Sequence, residues 1–174
     1  MKWDKGVDYE SVYSLLVKSI RKKKERKDRR LVSLCYDFIL LLQLRNGLRI
    51  SEAVRAFKQY ILTRKNELEV TVSKKKNQVK RLVVVPDIPD INDINSLCID
   101  LVNVDDDVLV NRIKSYASGM LKINTHSLRY SFITYLLRKG VNPSIVAKIT
   151  KHSKLDFILN YTQEKTAEDI LRNM

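Results

Sequence analysis

Five side chains of this 174-residue chain could together perform chemistry on a phosphate group. They are Arg49, His126, Arg129, His152 and Tyr161, in the strings NGLRISE, THSLRYSF and KHSKLDFILNYTQ. Phosphodiester cleavage requires a nucleophile, cations that neutralise charge on the phosphate oxygens, and groups that accept and donate protons. A tyrosine hydroxyl can be the nucleophile, arginine forks bind phosphate bidentately, and imidazoles transfer protons. The combination therefore predicts chemistry on a nucleic-acid phosphate.

Each of these residues also has an ordinary explanation when it is taken alone. A histidine in the first turn of a helix, as at His126, is usually a polar surface residue. Arg49 follows a glycine turn and could simply pair with Glu52, and Tyr161 is one of eight tyrosines that could be half-buried core. It is the presence of all these groups in one chain that favours a functional site.

Charge is strongly positive and unevenly distributed. Lys and Arg number 33 against 20 Asp and Glu, which gives a formal net charge of +13. Residues 18–30 carry nine Lys or Arg, whereas residues 87–107 carry seven aspartates and no Lys or Arg. A basic excess of this size favours a polyanionic partner, and its segregation predicts one face for DNA and another turned away from it. Whether residues 22–30 contact DNA or form a solvated helix face stays open.

Several other classes of protein and site are disfavoured. Cys35 and Cys98 lie far apart without a CxxC pattern, so we expect reduced core cysteines of an intracellular, cytoplasmic protein rather than a disulfide or a zinc site. The longest apolar run, residues 38–42, is too short to cross a membrane, and residues 1–9 do not resemble a signal peptide. Residues 105–107 could bind Mg²⁺, but consecutive aspartates point in different directions. We therefore expect no metal and no cofactor.

Apolar periodicity predicts a mainly helical chain. The predicted helices cover residue 9 into the basic run, residues 31–46, 51–57, 106–118, 125–139, a short helix from 143 to about 149, 155–161, and a final short helix from 166. In the helix that begins at Pro143, Ile145, Val146 and Ile149 are expected to face inward.

Glycines and hydroxyl side chains mark the predicted helix ends. Ser51 and Thr125 are expected to cap the N-termini of the helices that follow them. Gly47 is expected to end a helix in the left-handed conformation, a second helix is expected to stop at Gly140, and Gly119 is expected just past the end of a third.

A single β-hairpin completes the predicted fold. Leu68, Val70 and Val72 alternate with polar residues, residues 82–85 are β-prone, and the basic stretch 73–80 forms an exposed tip. The fold class is therefore α+β, mainly α-helical with one small antiparallel β-sheet. We expect residues 1–174 to form a single domain.

The motifs around the five residues resemble those of the tyrosine recombinases, the family of phage-type integrases and chromosome-dimer resolvases. In that family the first motif reads roughly TGLRxSE, the second HxLRHxF and the third LGHSxxxxTxxYTH. Here they read NGLRISE, HSLRYSF and KHS, with a tyrosine nine residues after the histidine. The resemblance covers about residues 31–163, and the Lys- and Ile-rich, glycine-poor style is similar to that of archaeal or archaeal-virus integrases.

The resemblance implies a role for each of the five residues. Arg49 and Arg129 would clamp the scissile phosphate, and His126 would assist proton transfer from the nucleophile. His152 would donate a hydrogen bond to a phosphate oxygen. Tyr161 would attack the phosphorus, which leaves a 3′-phosphotyrosine and a free 5′-hydroxyl.

The family's acidic residue and hairpin lysine can also be placed. Glu52 matches the acidic neighbour of the first arginine, in a supporting role. Counting back from the second strand favours Lys76 as the lysine that protonates the leaving oxygen, with Lys75 and Lys74 close behind. The other hairpin residues expected to bind DNA are Lys74, Lys75, Lys80 and Arg81.

Departures from the family pattern concern local geometry more than the charged or nucleophilic positions. Tyr130 stands where a second histidine is common, and Lys151 replaces the glycine usual before the third motif's histidine. The family's N-terminal helical domain has no counterpart before Tyr9, so we expect a catalytic domain alone. Delivery of Tyr161 in cis or in trans stays open.

The implied function is site-specific recombination of double-stranded DNA, with protomers associating on the DNA as a tetramer and no membrane partner. A topoisomerase-like relaxing activity uses the same attack without a second duplex. A helical DNA-binding module without catalysis is the alternative from a different class.

Overall fold

The computed structural model describes residues 7–25, 31–72, 79–88, 93–152, 158 and 171–172. The described elements are, in chain order, α1 (Tyr9–Glu25), α2 (Leu31–Asn46), α3 (Ile50–Thr63), β1 (Glu67–Thr71), β2 (Lys80–Val84), α4 (Ile94–Cys98), α5 (Asp106–Tyr116), α6 (Thr125–Arg138) and α7 (Pro143–Thr150). A 3₁₀ turn, Ile99–Asn103, follows α4, and a π-helical turn, Ala117–Leu121, follows α5. The expectation of a mainly helical chain with one small antiparallel sheet is confirmed.

Helix α2 forms the centre of the core. It is apolar on nearly every side, which is typical of a helix that other elements surround. Leu34, Ile39, Leu41 and Leu42 are fully buried, and α2 packs against α1, α3 and α6. Arg49 follows this helix closely, and its neighbours Leu48 and Ile50 are buried, so the backbone at the first arginine is anchored in the core.

One carboxylate lies inside this core and is fully satisfied. Asp37 on α2 accepts hydrogen bonds from Ser19 at 2.7 Å and from the Tyr116 hydroxyl at 2.6 Å, and it also pairs with Lys23. Burial, followed by the neighbouring Asp37, raises the pKa of Tyr116. The cluster joins α1, α2 and α5 through polar contacts that leave no buried charge unpaired.

The hairpin has the predicted alternation. Strands β1 and β2 are antiparallel, with Glu67 opposite Val84 and Thr71 opposite Lys80. Leu68 and Val83 point into the core, as the period of two requires. Residues 73–78, which form most of the predicted tip, lie outside the described residues.

Two predicted N-caps are wrong by one or two residues. Helix α3 begins after Arg49 rather than Ser51, because Glu52 in the first turn accepts a hydrogen bond from the Arg49 backbone N–H at 3.1 Å. Helix α6 begins after Asn124, whose side-chain oxygen accepts from the His126 N–H at 2.9 Å, so Thr125 is the first helical residue. Asparagine competes well for this capping position.

The end of α5 also differs from the prediction. Gly119 lies within the wide turn Ala117–Leu121, and the left-handed residue that closes it is Lys122, with φ of 55°. Gly47 does adopt the expected left-handed conformation, with φ of 60°, and Gly140, where α6 was expected to stop, has a positive φ of 80°.

The inward face of α7 is narrower than predicted. Val146 is fully buried and packs with Ile133 and Ile158, whereas Ile145 and Ile149 are 52% and 40% exposed. The spacing of the three apolar residues suited a helix, but this short helix contacts the domain along a single line of side chains.

The expectation of two reduced cysteines is wrong. Cys35 on α2 and Cys98 at the end of α4 form a disulfide, with their Cα atoms 5.9 Å apart and a sequence separation of 63. Their sequence spacing carries no short motif, because the pairing depends on α4 packing against α2. Only the tertiary fold brings the two sulfurs together.

None of the described helices is, by itself, both long and apolar enough to cross a membrane; α2 and α3 would qualify only as a pair, with a bend of 114° between them.

Candidate functional site

The turn at Gly47 is the centre of the candidate site. Its carbonyl oxygen accepts a hydrogen bond from Arg129 Nη1 at 2.6 Å and lies 3.4 Å from Arg81 Nη1. A Cβ atom at Gly47 would lie 2.3 Å from the ring of Phe132, far inside contact distance. Glycine is thus required twice, for its left-handed backbone and for the close approach of α6.

Arg129 connects this turn to the far end of the described fold. Its side chain is 1% exposed, and Nη2 donates to the Thr150 carbonyl at 2.7 Å. Burial, then the nearby Arg49 and Arg81, lowers the pKa of Arg129 to about 9. The guanidinium therefore stays charged at pH 7, in an interior where a charge is costly without an anion.

His152 lies against Arg129 and Thr150. Its Nδ1 is 2.6 Å from the Thr150 hydroxyl, which itself donates to the Val146 carbonyl at 2.7 Å. Because that hydroxyl has one proton, we assign the imidazole proton to Nδ1, and Arg129 Nη2 lies 3.4 Å from Nδ1 and 3.3 Å from Nε2. Burial, then Arg129 and Arg49, lowers the pKa of His152 to about 4, so the ring is neutral at pH 7.

Glu52 holds the first arginine. Its carboxylate is fully buried and forms an ion pair with Arg49, with Nη1 and Oε1 3.0 Å apart. The Arg49 side chain remains 25% exposed. The ordinary explanation for Arg49, pairing with Glu52, is thus seen in the structure. It is compatible with a functional role because the guanidinium still faces an open cleft.

Arg81 differs from its predicted place on an exposed basic hairpin. Its side chain is 2% exposed, and it lies 3.5 Å from Glu52 and donates to the Asn46 carbonyl at 2.5 Å. Burial is the main cause that lowers its pKa, and Glu52 acts in the opposite direction. The alternation of the strand could have predicted this burial. Val83 points inward, and Arg81, two residues earlier, lies on the same face of the strand.

These contacts bring an excess of positive charge into one small region. Three guanidiniums, from Arg49, Arg81 and Arg129, surround the single carboxylate of Glu52, which leaves two positive charges in excess of the acid. Arginine suits this setting because its fork remains charged and binds oxyanions bidentately. The arrangement can bind a phosphate or a similar anion.

His126 has a different environment from Arg129, although the two residues are only three positions apart on α6. It is exposed in the first turn of α6, edge-on to Tyr130 with ring centroids 4.6 Å apart. With Arg49 it lines an open cleft of about 870 Å³. Arg129 instead points into the core, and the charges of both Arg129 and His126 act on His152.

The remaining predicted residues are only partly described. Tyr161, Lys74, Lys75 and Lys76 lie outside the described residues. Lys80 is exposed on β2, 3.7 Å from Glu69, in the kind of surface pair that contributes little to stability.

The basic run of α1 is partly neutralised inside the protein. Lys23 pairs with the buried Asp37, and Lys24 pairs with Asp93 at 2.7 Å. These two lysines therefore act as intramolecular partners, which answers part of the question left open for residues 22–30.

The aspartates at 105–107 have structural roles in the fold. Asp105 caps α5 by accepting from the backbone N–H groups of Asp107 and Val108, and Asp106 pairs with Lys58 at 2.6 Å. Across the described ranges, no group of three or more His, Cys, Asp or Glu side chains could hold a metal ion.

Comparison with known proteins gives relatives by sequence. The chain is 39% identical over 173 residues to the protein named "Putative integrase ORF241" of Acidianus two-tailed virus, covering 99% of this chain and 68% of that protein. It is 30% identical over 197 residues to "Uncharacterized protein MJ0770" of Methanocaldococcus jannaschii, covering 99% and 88%. It is 28% identical over 206 residues to "Putative integrase V10" of Sputnik virophage, covering 97% and 88%.

No protein-family model and no solved structure matches the chain. The similarity to the Acidianus virus protein extends over nearly the whole chain and over two thirds of that relative. The chain therefore belongs to the integrase family of which the Acidianus two-tailed virus protein is a member.

Proposed function

We propose that this protein is a tyrosine recombinase, an enzyme that cuts and rejoins DNA in site-specific integration, with the catalytic-core fold of that family. The observation that carries the proposal is the group of three guanidiniums around one carboxylate at the Gly47 turn, with His152 beside it. A DNA phosphodiester supplies the anion that this group lacks. Membership of the integrase family supports DNA as the substrate.

In the proposed reaction the scissile phosphate binds between Arg49 and Arg129. The Tyr161 oxygen attacks the phosphorus, and the bond from phosphorus to the 5′ oxygen breaks. His126 assists removal of the tyrosine proton, and Lys76 protonates the departing 5′ oxygen. The product is a 3′-phosphotyrosine whose ester bond conserves the energy needed for rejoining, so no nucleotide cofactor is consumed.

His152 is suited to respond to the bound phosphate. In the free protein the ring beside Arg129 is neutral, because burial and then the neighbouring arginines lower the pKa of the imidazole. A phosphate dianion or diester in the site offsets those arginines and raises the pKa of the imidazole. The protonated Nε2 then donates a hydrogen bond to a phosphate oxygen.

Glu52 and Arg81 act as positioning residues in this proposal. Glu52 fixes the Arg49 fork, and Arg81 neutralises the other carboxylate oxygen while it binds the carbonyls of the Gly47 turn. Strand exchange between two duplexes then requires protomers to associate on DNA, for which we propose a tetramer.

The decisive experiment is to trap the covalent intermediate. The protein is incubated with end-labelled duplex carrying a nick near the cleavage site, or with supercoiled plasmid if the site is unknown, in the presence of EDTA. Denaturing gels should reveal a protein–DNA adduct for the parent chain. The adduct should disappear in Tyr161→Phe and persist in Tyr13→Phe, a matched loss of one hydroxyl on α1.

Other outcomes distinguish the alternatives. An adduct that persists in Tyr161→Phe would show that another residue is the nucleophile. Plasmid relaxation without joining of two duplexes would indicate a topoisomerase-like enzyme. DNA binding without any adduct from a nicked substrate would indicate a binding module.

A further inference from the structure

The open cleft beside the proposed catalytic site is lined by basic groups. Its walls are the end of α5 with the wide turn after it, the first residues of α6, and the start of α3. Among the described residues that line it, four are basic, namely Arg49, Lys114, Lys122 and His126, and none is acidic. The N-terminus of α6, the positive end of its helix dipole, also lies at the cleft and makes the electrostatic potential there more positive.

The ammonium groups of two of these residues, Lys114 and Lys122, have no carboxylate partner within the described fold. Both lysines are exposed. By contrast, Lys58 on the neighbouring helix α3 is held by Asp106 and the Val104 carbonyl. Lys114 and Lys122 are therefore available to an anion that enters the cleft.

The backbone beside the cleft has an uncommon conformation. The π-helical turn Ala117–Leu121 widens the end of α5, and Lys122 closes it with φ of 55°. For a residue with a Cβ atom this left-handed conformation costs about 1–2 kcal/mol. Wide turns and strained backbone of this kind recur at functional sites.

We propose that Lys114 and Lys122 bind two phosphates of the DNA strand next to the scissile phosphate, so that the strand runs along the cleft from Arg49 and His126 to α5. This inference rests on the proposed function, because the scissile phosphate fixes where the strand enters. The lysines are eight residues apart, roughly 12 Å along a helix axis, so we assign them to separate phosphates.

The test measures the salt dependence of DNA binding. Each lysine is changed separately and together, as Lys114→Gln and Lys122→Gln, in a Tyr161→Phe background that prevents covalent trapping. Binding to a labelled duplex is measured by fluorescence anisotropy between 50 and 200 mM salt. The slope of log affinity against log salt should fall by about 0.9 for each lysine removed, and affinity should fall similarly for unrelated duplexes.

Two controls separate this effect from changes in total charge or folding. Lys65→Gln removes an exposed charge after α3, away from the cleft, and should leave the slope unchanged. Lys122→Gly removes the side chain but should keep the turn, because glycine adopts the left-handed conformation without strain. It should reproduce the effect of Lys122→Gln.

An unchanged slope in the double variant, with normal binding by the parent, would overturn this inference and leave the nucleophile proposal intact. A reduced slope in the lysine variants, together with no covalent adduct from the protein in which Tyr161 is intact, would support the path of DNA along the cleft. The same result would overturn the proposed chemistry. No binding by the parent at 50 mM salt would overturn both.

Discussion

Arg129 and His152 illustrate how a few side chains define the site. Arg129 binds carbonyls at Gly47 and Thr150, so the same guanidinium that could hold a phosphate also holds two segments together. His152 is held by Thr150, and both of its ring nitrogens lie within 3.4 Å of Arg129 Nη2. Each residue is therefore structural in the free protein and, in our proposal, catalytic when DNA is bound. Their substitution should affect both properties.

We expect His152 to make stability depend on pH. Its pKa is about 4 in the folded chain and about 6.5 when unfolded, so the unfolded state binds more protons between these values. Stability therefore rises with pH through this window, and acidification from pH 7 to 5 should cost at most about 2 kcal/mol. This loss in the free energy of unfolding is measured by chemical denaturation of the parent and of His152→Gln at both pH values. An equal loss in the two proteins would contradict the assignment.

At the scale of elements, the junctions after α2 and α7 determine how the arginines and histidine meet. Gly47 lets α6 approach so closely that Phe132 covers the turn. After α7, Lys151 adopts φ of 56°, and this bend directs His152 back toward Arg129. Glycine adopts this conformation freely, whereas Lys151 adopts it with a Cβ atom present.

Gly47→Ala should be severely destabilising. The left-handed backbone costs about 1–2 kcal/mol for alanine, and the overlap with Phe132 adds about 1–3 kcal/mol. Gly140→Ala is the matched control, because its φ is 80° but a Cβ atom there meets nothing within 4 Å. Denaturant titration should show only the backbone cost in the control. Comparable losses in the two variants would mean that Phe132 moves aside easily.

Lys151→Gly should stabilise the protein. Relief of the left-handed strain, about 1–2 kcal/mol, exceeds the 0.5–1 kcal/mol that glycine loses through its greater freedom in the unfolded chain. The net gain of about 0.5–1 kcal/mol should appear as a higher thermal midpoint. Lys148→Gly, inside α7, should instead lower stability by about 1 kcal/mol. A lower midpoint for Lys151→Gly would mean that its side chain makes contacts worth more than the strain.

For the whole molecule, the core and a covalent link hold the site's elements in place. Helix α2 carries Cys35 in its buried face, and the disulfide to Cys98 joins it to α4 across a long stretch of chain that includes α3 and the hairpin. Arg49, Glu52 and Arg81 all lie within this closed loop. The link therefore keeps the segment that carries three of the charged groups at the Gly47 turn closed in the unfolded chain as well, which favours the folded state.

Reduction of the disulfide should lower stability by about 2–4 kcal/mol, because it releases a loop of 63 residues in the unfolded chain. Thermal unfolding with and without reductant measures the effect, and thiol titration checks that the bond has been broken. The variant with Cys35→Ser and Cys98→Ser should resemble the reduced parent and not respond to reductant. An identical midpoint for the parent in both conditions would contradict a stabilising role.

The amino-acid sequence by itself determined most of the local structure and the identity of the charged motifs. Apolar periodicity located the helices and the hairpin, because each must place one set of side chains toward the core. Motif resemblance selected Arg49, Arg129 and His152, which the fold then brings together, and the integrase relatives agree with that resemblance. The roles of these residues remain predictions.

Only the tertiary structure decided which residues meet across long separations. The Cys35–Cys98 disulfide, the burial of Arg81 beside Glu52, and the exposure of Ile145 each depend on how helices and strands pack. The placement of Lys122 on the cleft depends on a wide turn that no sequence pattern indicated. Local periodicity carries no information about such contacts, because they result from packing between segments that are distant along the chain.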